Sequence, residues 1–99
     1  RAKSWCQNAI DEGAVCITGN QNEGLNFYPT IMTEVTDDMQ IICEEVFAPI
    51  VSLIKVDSYG TAIKKMNDSP YGLQFSIFTN DLKMTQAFID DAQCGGVVI

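Results

Sequence analysis

Ile50-Val-Ser-Leu-Ile-Lys-Val56 decides how the fold is read. It is a run rich in β-branched side chains, apolar at most positions, and suits a mostly buried parallel strand. Helix chemistry follows it. Asp57 or Ser58 offers an N-cap, Tyr59, Ala62, Ile63 and Met66 form an apolar stripe at helical spacing, and Asn67-Asp-Ser-Pro70 stops it. Phe75-Ser-Ile-Phe78 then reads as a strand. Asn80 or Asp81 caps a further helix with Leu82, Thr85, Phe88, Ile89 and Ala92 roughly on one side, and Gly95-Gly96 releases the chain into Val97-Val-Ile99. Connections of about a dozen residues are too long for hairpins and suit crossovers. The pattern predicts an α/β fold: a partial, mostly parallel sheet with crossover helices.

Upstream, Ala2, Trp5, Cys6, Ala9 and Ile10 recur at helical spacing, and Gly13 is placed to cap the end of that helix. Ala14-Val-Cys-Ile-Thr18 reads as a short strand closed by Gly19. Asn20-Gln-Asn-Glu-Gly24 has the composition of a polar loop and is not a phosphate cradle. Phe27-Tyr28 and Ile31-Met32 flank Pro29-Thr30 in an extended segment, whose proline suits a sheet edge or a strand start.

With 99 residues the chain is one domain or part of one, and 46% apolar against 19% charged residues argues against disorder. Thirteen acidic and six basic residues give a net charge of -7, which disfavours nucleic acid and anionic membrane surfaces as partners. Cys6, Cys16, Cys43 and Cys94 form no CxxC pair, and without histidine they do not make a zinc site. No leader or membrane-length apolar run is visible, so reduced thiols and a cytoplasmic location are expected. The chain opens at Arg1 and closes in the middle of an apolar run, Val97 to Ile99. A buried-type strand ending there would need sheet partners from further chain, so residues 1–99 are expected to be an internal piece truncated at both ends.

Chemistry concentrates in Cys43-Glu-Glu-Val-Phe-Ala-Pro49, just before the longest apolar run. A carboxylate accepts both hydroxyls of a ribose, a phenyl ring packs against a planar cofactor ring, and Pro49 restrains the backbone. The same residues also suit blander roles: a surface or helix end for Glu44 and Glu45, and core for Phe47. Cys43 has no histidine or basic residue beside it in sequence to activate a thiolate.

Phe27-Tyr-Pro-Thr30, Met39-Gln-Ile-Ile-Cys-Glu-Glu-Val-Phe-Ala-Pro49, Asn67-Asp-Ser-Pro-Tyr-Gly-Leu73, Phe78-Thr79 and Gly95-Gly-Val-Val-Ile99 together resemble the NAD(P)-dependent aldehyde dehydrogenase family. The resemblance covers essentially the whole chain and implies an internal piece, 1–99, of the catalytic domain. It implies that Glu45, matching the second glutamate of the family motif, binds the nicotinamide-side ribose of NAD or NADP. Phe47 would lie near the nicotinamide, and Glu44 takes no comparable role. Ala48 stands where the family commonly has glycine, so a positive φ there would carry a Cβ penalty. In the family a cysteine thiolate attacks the aldehyde, hydride passes to the nucleotide, and water releases a carboxylate. None of the four cysteines matches that nucleophile, so this chain is expected to hold no catalytic residue and to be inactive alone. The nucleophile, its asparagine, the general base and the main dinucleotide-binding domain are expected upstream, in an enzyme that assembles as a homodimer or homotetramer. The competing expectation is a non-enzymatic α/β interaction or structural module.

Overall fold

The apolar spacing at the start of the chain folds into α1 (Ala2–Asp11), whose Cys6 and Ala9 are buried. It belongs to a computed structural model that describes residues 1–99 and divides them into two units, Arg1–Lys55 and Val56–Ile99. Gly13 ends α1 as its position suggests. Its φ of +113° lets the Gly13 N–H donate to Ile10 O at 3.0 Å and the Ala14 N–H to Ala9 O at 2.9 Å. These are the two bonds of a Schellman end.

In the first unit β1 (Val15–Thr18) leads into β2 (Asn22–Glu23) and β3 (Asn26–Phe27). The segment expected as a polar loop is therefore part of a short hairpin. Asn22 faces Phe27 and Glu23 faces Asn26, leaving Gly24-Leu25 as a two-residue turn. Gly24 supplies the positive φ, +61°, that such turns require.

β4 (Thr30–Thr33) is the middle strand of a three-stranded sheet, between β1 and a later strand. Pro29 precedes it, where its missing N–H costs no ladder bond. β4 runs antiparallel to β1, with Val15 opposite Thr33, and parallel to β5 (Ile50–Ser52), with Thr30 opposite Ile50. The α/β class holds, but the sheet is mixed rather than mostly parallel. The connection from β1 to β4 is a hairpin excursion without a helix, and it returns the chain antiparallel.

The expected buried strand over residues 50–56 is shorter and more open than its composition suggests. β5 keeps only three residues, and Val51, Leu53 and Ile54 are exposed. Burial instead concentrates in Cys6, Ala9, Ala14, Met32, Val35, Met39 and Ile41, which form the core, and β5 reaches it through Ile50. At about 1.5–3 kcal/mol for each large side chain, Met32, Met39 and Ile41 dominate its apolar contribution.

Thr30 is the buried polar residue of that core, and its hydroxyl is satisfied twice. It donates to Tyr28 O at 2.8 Å and accepts from the Asn20 N–H at 2.8 Å. The chain at Gly19 passes so close that a Cβ there would fall on the Pro29 carbonyl and lie 2.7 Å from Thr30 Cα.

In the second unit Ser58 caps α3 (Tyr59–Asp68), accepting from the Thr61 N–H at 3.1 Å. Asp81 caps α4 (Leu82–Asp91), accepting from the Lys83 and Met84 N–H groups at 2.9 and 3.2 Å. β6 (Phe75–Ser76) and β7 (Val97–Val98) pair in parallel across α4. The α3 stripe is half-buried and Phe88 of α4 is buried, whereas Leu82 is exposed in the first turn of α4. Asn67 ties the two helix ends, donating to Asp91 O and accepting from the Gln93 N–H, both at 2.9 Å.

Gly19 and Gly24 separate two costs of a side chain. In the intact protein Gly24→Ala, with open space around it, is expected to cost only the left-handed penalty, about 1 kcal/mol. Gly19→Ala adds a backbone clash and is expected to cost about 3 kcal/mol or more. Denaturant unfolding of the two variants checks the order.

Candidate functional site

Met39 and Ile41 are buried against α1, and they hold α2 (Gln40–Cys43), a single helical turn not anticipated from the sequence. Met39 at its N-cap makes no side-chain cap bond, and the β-branched pair Ile41-Ile42 lowers its helix propensity. Glu44 ends it in extended conformation, its N–H donating to Gln40 O at 3.0 Å. Glu44 thus occupies a helix end, one of the roles open to it in the sequence. The chain must then reach β5 within the stretch Glu44 to Pro49.

That connection is tight. Phe47 takes φ +51°, in the left-handed region, which costs an L-residue roughly 1–2 kcal/mol. Several bonds hold the distortion. The Arg1 guanidinium donates to Val46 O, the Ile50 N–H to Ala48 O at 2.7 Å, and the Thr30 N–H to Pro49 O at 2.9 Å. The residue with positive φ is therefore Phe47 and not Ala48, so the substitution of alanine for the family's glycine carries no left-handed penalty here.

Both residues singled out for a cofactor lie on this connection. Phe47 is 79% exposed, which removes the core reading within this chain. The Glu45 carboxylate is exposed and makes no hydrogen bond or ion pair within the chain. An unengaged carboxylate and an open aromatic residue lie two residues apart on a braced loop, chemistry able to accept hydroxyl hydrogens and to pack against a planar ring. Reading along the chain missed Arg1, which lies 45 positions from Val46. No local spacing connects the two.

The four thiols are free and unlike one another. Cys43 is exposed at the end of α2, with Sγ 4.0 Å from Asp38 O. Cys16 packs against the core, and its thiol donates to Thr18 O at 3.3 Å. Cys94 is half-buried and donates to Gly96 O at 3.0 Å. Cys6 is fully buried, and burial first, then the neighbouring Cys16, pushes its pKa up. A separate concavity of about 210 Å³ in the second unit is lined by apolar groups such as Ile63, Met66, Phe78 and Phe88 and by no carboxylate, amine or thiol.

Comparison with known proteins places these residues in a wider frame. The model of the aldehyde dehydrogenase family matches residues 1–99. A 3-sulfolactaldehyde dehydrogenase from Priestia aryabhattai is 38% identical over 99 residues, all of this chain and 21% of that protein. The crystal structure of aldehyde dehydrogenase 21 from Physcomitrella patens, in complex with succinate, superposes with a TM-score of 0.92 at 32% identity, over 97% of this chain and 20% of that one. A glyceraldehyde-3-phosphate dehydrogenase from Methanocaldococcus jannaschii, complexed with NADP, gives 0.89 at 35% identity, over 99% and 21%. An α/β chain with this loop and these likenesses belongs to the aldehyde dehydrogenase family. It spans about a fifth of the length of the relatives it matches.

The thiols offer a direct check on this geometry. Iodoacetamide labelling of the folded protein is expected to modify Cys43 first and Cys6 last, the latter on the order of 100-fold more slowly. Because the fold suppresses Cys6 ionisation and the unfolded chain does not, its contribution to stability is present at neutral pH and lost as pH rises. Cys6→Ala should flatten the alkaline fall in unfolding free energy, measured with denaturant.

Proposed function

We propose that residues 1–99 are part of the catalytic domain of an NAD(P)-dependent aldehyde dehydrogenase, within a polypeptide longer at both ends. The whole enzyme would oxidise an aldehyde to a carboxylate, and this segment would supply one edge of the nucleotide site. The observation that carries the reading is the pairing of an unengaged Glu45 carboxylate with an exposed Phe47 ring on one constrained connection. Family membership over the whole chain and the NADP complex of a similar structure support it.

When bound, the nicotinamide nucleotide accepts hydride. Glu45 would accept hydrogen bonds from the two hydroxyls of the nicotinamide-side ribose, a sugar common to NAD and NADP. Phe47 would pack beside the nicotinamide and limit its rotation. The backbone from Ala48 to Ile50 would fix the distance between these contacts and β5. No residue of this chain acts as nucleophile or proton carrier in the reading, so the cysteine that attacks the aldehyde would come from the remainder of the polypeptide. Assembly as a homodimer or homotetramer and a cytoplasmic location belong to the same proposal. No helix in the chain is long and apolar enough to cross a membrane.

In the full-length enzyme Glu45→Gln is expected to raise the KM for the nucleotide about tenfold, the weight of one charge-assisted hydrogen bond. Glu44→Gln should leave it unchanged. Steady-state kinetics with the nucleotide varied distinguishes them, and equal, wild-type constants in both variants would overturn the assignment. The isolated chain should show no nucleotide reduction with NAD+ or NADP+ and small aldehydes, followed by nicotinamide absorbance.

A further inference from the structure

The geometry points to Arg1 as a positioning residue for the nucleotide edge: its guanidinium holds the Val46 carbonyl, and through it the left-handed Phe47 and the outward Glu45. This rests on the nucleotide reading above. The Val46 carbonyl belongs to the planar peptide that joins Val46 to Phe47, and the φ of Phe47 is the rotation about the bond that follows that plane. With the chain beyond Phe47 tied by the Ile50 N–H to Ala48 O and the Thr30 N–H to Pro49 O, fixing the carbonyl on the near side restrains the torsion that is costly for a residue with a Cβ.

Arg1 is itself held at both ends. Its carbonyl accepts from the Trp5 N–H at 3.0 Å and from the Ser4 hydroxyl at 2.8 Å, as the N-cap residue of α1. Its guanidinium lies over the half-buried Trp5 ring, 5.3 Å from the centroid. A planar guanidinium stacks by its face and donates from its edge at once, which a lysine ammonium cannot reproduce. The first helix of the unit is thereby linked to a loop 45 residues away.

The test uses the full-length enzyme with Arg1→Met, which keeps an aliphatic stem and removes the donors. The nucleotide KM is expected to rise about tenfold, the scale of a freed left-handed residue, with the aldehyde KM and the unfolding midpoint unchanged. Hydrogen exchange of the Phe47, Ala48 and Ile50 amides should quicken. Arg1→Lys should recover little, and Arg1→Ala should be partly restored by added guanidinium. An unchanged nucleotide KM in Arg1→Met overturns the proposal. Glu45→Gln, measured alongside, then shows how far the failure reaches: a raised KM in that variant leaves the nucleotide reading standing, and a silent one removes it as well.

Discussion

The peptide between Val46 and Phe47 is where the constraints of the first unit meet. α2 ends at Cys43, where Glu44 turns extended, and β5 begins at Ile50, paired with Thr30 of β4. The stretch between them leaves the chain one sharp turn. Phe47 takes that turn in a left-handed conformation that glycine adopts more readily. The strain, of order 1–2 kcal/mol, is offset by hydrogen bonds that converge from α1, β4 and the loop itself. Its consequence is chemical as well as conformational. An aromatic ring is left in the open, close in sequence to a carboxylate with no internal partner.

β4 provides the platform for this arrangement. Thr30 and Met32 are buried on it, and each flanking strand is aligned against it, one antiparallel and one parallel. The Thr30 hydroxyl is costly to bury alone, and it is satisfied by Tyr28 O and the Asn20 N–H. Gly19 permits the close approach that brings Asn20 to it. A change at Gly19 would therefore be felt at β5 and along the connection from Glu44 to Pro49 through the Thr30 N–H to Pro49 O bond.

Features that depend on a few neighbouring residues were legible in the sequence. The Gly13 stop, the Ser58 and Asp81 caps and the strand start at Pro29 all follow from local backbone chemistry. Burial was less legible, since it depends on what lies across the sheet. The β-branched run from Ile50 promised a covered strand, yet Val51 and Leu53 are open here. The proposed larger catalytic domain would supply such cover. Leu82 shows the same limit on α4, where helical spacing placed it with Phe88 but the first turn leaves it exposed. At the candidate site residue chemistry left Glu45 and Phe47 open to surface and core roles, and the family motif is what singles them out. The family's glycine drew attention to Ala48, whereas the left-handed backbone belongs to its neighbour. Arg1 was invisible because a guanidinium reaching across 45 residues leaves no local pattern.

The proposed role of the connection from Glu44 to Pro49 is to form an edge of the nucleotide site. A crystal structure of the full-length enzyme with NAD+ or NADP+ bound tests it most directly, through the distances from the Glu45 carboxylate to the ribose hydroxyls. Both oxygens are expected within hydrogen-bond range, about 2.5–3.0 Å, with the Phe47 ring beside the nicotinamide and its φ still positive. A bound nucleotide whose ribose is held by other residues, with Glu45 turned to solvent, would contradict it.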